Sequence, residues 1–428
     1  MKRIGLALLI AGSLASAAHA ADPAFEDHSV QLGGHIYGGD WEFFVGGGVA
    51  VMDCNADKRP DIFLAGGANP SALYVNEGGF NFALSEGPGV TDVTGAYPLD
   101  IDADGWTDLY VLRVGPDRLL RGGPDCAFED VTDAWGLPQA DRWSTAFTGW
   151  WEGDGRPTLA VGHYVDRADP EGPFEACDAN TLLRPEADGW RDEELEPGFC
   201  ALSILASHDA RGRMTLRLSN DRHYYVRGGY EQMWDINDRR FLTEEDGWPK
   251  VSLWGMGIAS ADLTGDGRDE VMLTSMGDQL MQIAQDDGTY KPAPFSIGTY
   301  AQRPFDGSDG RPSTGWHAQF GDIDNDGRPD LFIAKGNVDQ MPTNAMEDPN
   351  NLLIQQPDGT FVEKADVAGV ATKERSRGAA LADFDGDGRL DLVVVNRRAG
   401  AELYRNVTPD SGHWIGRASC RERVSSPV

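Results

Sequence analysis

Asp322-Ile-Asp324-Asn-Asp326-Gly327-Arg-Pro-Asp330 runs directly into the apolar stretch Leu331-Phe332-Ile333. Carboxylates stand at places one, three, five and nine, and glycine stands at six. Alternate residues of a tight loop aim their side chains at one point, and glycine supplies the left-handed backbone of the turn. The seventh carbonyl then faces that point, and the ninth carboxylate closes a shell of oxygens. Such a shell suits Ca²⁺, with about six to eight oxygens at ~2.3–2.6 Å, better than Mg²⁺, which demands a stricter octahedron. An EF-hand needs glutamate at place twelve and flanking helices. Place twelve here is Ile333, in a strand-like run.

The frame recurs. Asp100, Asp102, Asp104 and Asp108 form a second complete copy around Gly105, and Asp383, Asp385, Asp387 and Asp391 a third around Gly388. Asp53, Asn55, Asp57 and Asp61 keep the oxygens but have Lys58 for glycine, and Asp262, Thr264, Asp266 and Glu270 keep the glycine. These five loops are expected to bind metal. The copy from Trp150 to Thr158 lacks its first and last acids. A doubled gap then hides a loop from Ser207 to Thr215, where Arg211 takes the central place and is expected to replace an ion's charge. Seven copies thus start at residues 53, 100, 150, 207, 262, 322 and 383. Repeats of roughly 40–60 residues made of short strands read as four-stranded propeller blades. The expected fold is all-β: a seven-bladed β-propeller over residues 21–410 with calcium-binding loops in the blades.

A second element alternates with the loops. Phe128-Glu-Asp-Val131 leads to Gly136-Leu137, Phe361-Val-Glu-Lys364 leads to Gly369-Val370, and Phe241 to Trp248 is similar. Phe25-Glu-Asp27 is a further copy that precedes the first loop, while the last repeat lacks one. Residues Phe25 to Gln31 are therefore expected to pair with the strand near Glu402 to Asn406, which closes the ring and removes its edge strands.

The chain has 428 residues, with 69 acidic against 37 basic and a formal charge of −32. Phosphate contacts need clustered Lys and Arg, so nucleic acid is not an expected partner. Lys2 and Arg3, an apolar run from Ile4 to Ile10 and Ala18-His-Ala20 have the three parts of a secretory signal peptide, residues 1–20, cleaved after Ala20. That run is too short to span a bilayer, so the mature chain is expected to be secreted or periplasmic. Export permits disulfides. Cys177 and Cys200 flank one polar segment and are expected to pair, stapling an insertion in the third blade; the partners of Cys54 and Cys126 stay open.

These loops, the strands behind them, and the phrases Leu73-Tyr-Val-Asn76 and Leu403-Tyr-Arg-Asn406 resemble FG-GAP/VCBS repeats. Asn406-Val-Thr408 and His413-Trp-Ile-Gly416 resemble the entry to an ASPIC/UnbV domain, as in the cartilage acidic protein-like family. Arg417 to Val428 departs from that family, so residues 411–428 are read as a truncated or aberrant tail.

Six to eight places before the loops, at the opposite end of each innermost strand, stand Trp143, Trp254, Trp316 with His317, and Arg375 with Arg377. In a propeller these strand starts converge on the central channel. Aromatic faces with a few polar groups suit a sugar or another flat or cationic ligand; packing between blades is the competing use of the same tryptophans. Esterase, zinc-protease and P-loop motifs are missing from the sequence. The expected function is a monomeric binding or adhesion module for a glycan or protein ligand. The alternatives are an enzyme acting at the channel mouth, or a scaffold for a missing C-terminal domain.

Overall fold

The computed structural model describes residues 22–412 apart from 86, 154, 222–227, 301–303, 305–309 and 410. The proposed signal peptide, Asp154 and nearly all of the 411–428 tail lie outside the described residues.

Seven four-stranded antiparallel sheets follow one another along the chain. Their first strands are Val49–Met52, Val93–Leu99, Ser144–Trp150, Ala201–His208, Gly255–Ala261, Gly315–Gly321 and Ser376–Ala382. These strands pack on one another around a ring, the first against the last, so they are the innermost strands of seven blades. The second strand of each blade is covered on both faces by neighbouring blades. It therefore reads as an unbroken apolar run: Ile62, Phe63 and Leu64, or Leu331, Phe332, Ile333 and Ala334, all inaccessible to solvent.

The ring closes through the N-terminus. Phe25, Glu26 and Asp27 pair antiparallel with Asn406, Arg405 and Tyr404, as the fourth strand of blade seven. The pairing is shorter than expected, because Ser29–Leu32 turns into a 3-10 helix. Its last residue, Leu32, enters the core between blades seven and one.

The polar segment between Cys177 and Cys200 is not an insertion. Asn180–Glu186 and Gly189–Leu195 are the third and fourth strands of blade three. An outermost strand buries one face only, so its charged alternation masked it in the sequence. The bonded pair Cys177–Cys200, with Cα atoms 4.9 Å apart, joins blade three to the start of blade four. Cys54 is bonded to Cys126 and joins blades one and two.

Six innermost strands begin with a bulge. The bulged residues include Thr94, Thr145, Leu202, Met256, Trp316 and Arg377, and all six line a central cavity of about 50 Å³. The channel is thus plugged by side chains, with room for only a few waters.

Candidate functional site

All the acidic loops join the first strand of a blade to the second, so they share one face of the ring. Five follow a single hydrogen-bonding plan. The first aspartate accepts from the backbone N–H groups of places five and six: Asp322 from Asp326 and Gly327, both at 2.9 Å, and Asp383 from Asp387 at 3.1 Å and Gly388 at 2.9 Å. Asp53, Asp100 and Asp262 do the same. Places four and six are left-handed throughout, including Ala56, Lys58, Ala103 and Asn325, which lack the freedom of glycine.

The ninth acid is wholly buried in all five loops: Asp61, Asp108, Glu270, Asp330 and Asp391. One oxygen of Asp330 accepts from Ile323 N–H at 2.8 Å and the other from Gln355 N–H on the third strand at 2.9 Å. The ninth acid therefore stitches the loop into the sheet as well as facing its interior. Burial pushes Asp108 up to about 6, Asp391 to about 7 and Asp330 to about 8, against the backbone donors, which act the other way.

The three complete loops gather carboxylates. Oxygens of Asp100, Asp102 and Asp108 lie within 4.8 Å of one another, as do those of Asp322, Asp324 and Asp330, and of Asp383, Asp385 and Asp391. In blade six Asp324 Oδ2 is buried with no hydrogen-bond partner among the described residues. An anionic oxygen left so is costly, and this donor set fits a hard divalent cation. The fifth carboxylate, counted as a ligand from the sequence, is not gathered. Asp326 and Asp387 instead meet the guanidinium groups of Arg328 and Arg389. Asn55 and Thr264 stand where the other two loops lack the third carboxylate.

The remaining two loops differ. In blade four Asp209 is buried and receives two bonds from Arg213, Nε at 2.9 Å and Nη2 at 2.6 Å. Arg213, not Arg211, supplies the counter-charge; Arg211 points outward and reaches only the Asp287 carbonyl at 3.3 Å. In blade three Arg156 lies between the rings of Trp135 and Trp190, at 5.0 and 4.9 Å.

Adjacent loops are tied. Asn406, the last residue of its Leu-Tyr-Arg-Asn phrase, donates to the Ile323 carbonyl in the blade-six loop, and Asn76 donates likewise to Phe384 in the blade-seven loop. Cys54 holds the equivalent second place in blade one, and its disulfide makes the corresponding tie to blade two.

On the opposite face the expected ligand residues mostly serve packing. Trp143 is wholly buried against Trp41, Phe44 and Tyr164. Trp316 donates its indole N–H to the Gly336 carbonyl at 2.7 Å and lies under the Arg377 guanidinium at 3.9 Å. Arg377 is buried, and its donors go to the carbonyls of Phe44, Ser376, Asn337 and Val338. His317 is buried at the plug, and Trp254 and Arg375 are half-buried.

A recess that the sequence did not disclose lies beside them. It holds about 360 Å³, and its lining includes Trp41, Phe44, Met256 and Met341 with Asp40 and Asp339. Trp41 is 45% exposed there. Asp339 pairs with Arg397 at 2.9 Å and Arg398 at 3.1 Å. Its residues come from the entry to blade one, from blades four and five, and from loops of blades six and seven, and no one repeat carries them.

Among the described residues no helix is long and apolar enough to cross a membrane. The FG-GAP-like repeat family matches residues 53–111, 262–333 and 322–394. Human cartilage acidic protein 1 is 39% identical over 82 residues, 19% of this chain and 12% of that protein; the mouse protein is 46% identical over 57 residues, 13% and 9% respectively. The matches thus span about a tenth of those relatives' length. The solved BBS1N structure in complex with ARL6DN superposes with a TM-score of 0.55 at 12% identity, over 92% of this chain and 99% of that one. Repeats, blades and partial matches agree: the chain is a seven-bladed β-propeller that carries FG-GAP-like repeats over residues 53–111 and 262–394 and is similar in part to cartilage acidic protein 1.

Proposed function

We propose that the chain is an exported binding module whose blades are held by Ca²⁺ on one face and which takes a protein or glycan ligand on the other. The observation that carries the calcium half is Asp324 Oδ2, buried and unpartnered beside Asp322 and Asp330. Asp100, Asp102 and Asp108, the Asp322 and Asp383 sets, and more weakly the loops at Asp53 and Asp262 would hold the ions. A bound cation would neutralise carboxylates that folding forces together.

The recess around Trp41 supports the ligand half. An exposed aromatic over an apolar floor with a charged rim is the composition of a binding hot spot. A protein ligand is the favoured reading, since the similar propeller of BBS1N is solved with ARL6DN. The test is a partner and glycan screen of the mature protein, run with calcium and with chelator, alongside Trp41→Ala. Binders that need calcium and are lost in Trp41→Ala support the proposal. Binders indifferent to Trp41 would move the site elsewhere.

A further inference from the structure

We infer that arginines act as resident counter-cations of the acidic loops, holding their free carboxylates in the metal-free state and lowering their affinity for calcium. The inference rests on the calcium reading above.

At place seven, Arg59, Arg268, Arg328 and Arg389 each direct Nη2 at Oδ2 of the fifth aspartate, Asp57, Asp266, Asp326 and Asp387. The backbone N–H of the same arginine donates to the other oxygen, at 2.9–3.0 Å. Three of the four fix Nε on a third-strand carbonyl, of Asn76, Gln355 and Asn406. The guanidinium is therefore held in place, not merely nearby.

Blade two is the informative exception. Its place seven is Trp106, and the cation comes from the third strand instead. Arg121 reaches Asp104 Oδ2 at 2.6 Å and Asp102 Oδ2 at 2.9 Å. Two different chain positions deliver a guanidinium to the same carboxylate, so the requirement belongs to the loop's charge and not to one local turn.

The loops are not equally supplied. Blade seven has Arg389 and also Arg405, whose Nη2 lies 2.6 Å from Asp385 Oδ2. Among the described residues blade six has Arg328 alone, and its third-place carboxylate, Asp324, keeps an oxygen with no partner among them. A fixed positive charge beside the ion repels it, and a guanidinium bond occupies an oxygen the ion would use. Blade six should therefore bind calcium more tightly than blade seven.

The test is calorimetric titration of chelator-treated protein with CaCl₂. The blade-seven component is the one lost in Asp385→Asn, and the blade-six component the one lost in Asp324→Asn. Arg389→Gln and Arg405→Gln should each tighten the blade-seven site about 3- to 10-fold, the scale of one charge at this range, and lower the melting temperature in chelator. Arg389→Lys, which keeps the charge, should stay near wild type. Unchanged or weakened affinity in both glutamine variants overturns the inference. Weakening by Arg389→Lys as well would make the arginine a brace for loop shape and equally overturn it. If Arg389→Gln does not fold without calcium, Arg405→Gln on a regular strand carries the decision. A wild-type protein that takes up no calcium fails the underlying reading, a result visible before any variant is made.

Discussion

Blades six and four are built from the same repeat, yet their loops end differently. In blade six Gly321 pairs with Asp330, leaving residues 322–329 free to curl around a centre; blades one, two, five and seven share this register. In blade four Ser207 pairs with Thr215, and in blade three Trp150 pairs with Thr158. Those loops are shorter, 151–157 in blade three and 209–213 in blade four, where His208 still pairs with Met214, and the residue that should be the first ligand is instead paired within a strand. In blade four the N–H groups of places five and six turn to Asp209 instead, Arg211 N–H donating to its carboxylate at 2.9 Å and Gly212 N–H to its carbonyl at 2.8 Å. Blade four substitutes an internal ion pair, Asp209 with Arg213, and blade three a cation between two indoles. The repeat family's match also leaves out residues 112–261, the stretch holding both short loops. A shorter loop with a different charge pattern stands where the other blades have a candidate ion site.

The largest test of this contrast is metal removal. Each site adds about 2.7 kcal/mol at a hundredfold excess of ion over Kd. Several sites together rival the roughly 5–15 kcal/mol that hold a domain folded. Chelation should lower the melting temperature by more than about 10 °C, and Ca²⁺ should restore it better than Mg²⁺. Because the arginines already offset part of the repulsion, the chelated protein should still fold. Equal melting temperatures in chelator and in millimolar calcium would reduce all seven loops to plain turns.

A second test uses the seam between blade two, with its intact loop, and blade three, without one. Asp117 is buried there, accepting from Arg113 N–H, Tyr110 and Ser144, and burial raises its carboxyl from 3.8 to about 7. The folded form holds this proton more tightly than the unfolded one. Its stabilisation is complete below about pH 4 and is lost as pH rises through about 7. With calcium saturating, stability should fall by about 2–4 kcal/mol between pH 4 and 8. Asp117→Asn should flatten that fall in urea titrations; an unchanged slope would place it in the metal loops instead.

Paired substitutions sharpen the contrast further. Asp324→Ala should cost about 2 kcal/mol in calcium and little in chelator. Asp209→Ala, which leaves Arg213 with Asp235 alone, should cost about 2 kcal/mol in both. Denaturant midpoints for the two proteins in both buffers decide it, and a calcium-dependent loss at Asp209 would erase the distinction. The smallest effect belongs to blade one. Lys58 holds the left-handed place that glycine holds in the other four intact loops, at φ 67°. Lys58→Gly should raise stability by about 1 kcal/mol, and a loss would mean that its side chain contributes more than its backbone costs.

Spacing made much of this legible. Carboxylates in phase disclosed seven repeats, and an orphan Phe-Glu-Asp disclosed how the ring closes, because both are local patterns that recur. Left-handed places at Gly265, Gly386 and Asn325 were readable in kind, whereas Ala56 and Ala103 gave no signal. Arg211 and Arg213 are both plausible partners for Asp209 in the sequence; only strand register decides that Arg213 faces inward.

The sequence by itself determined the blade count and the position of the acidic loops, since the motif lies within nine places and recurs in phase along the chain. Tertiary structure decided which carboxylates converge, which arginines oppose them, how the loops of blades six, seven, one and two are tied, and that the tryptophans near the channel pack while Trp41 remains open. The first two outcomes depend on the fold of one blade, and the ties and the packing on neighbours from different blades. Asn406 meets Ile323, and Phe44 meets Arg377, only because the ring brings together segments more than 80 and 300 residues apart, and no local spacing encodes that meeting.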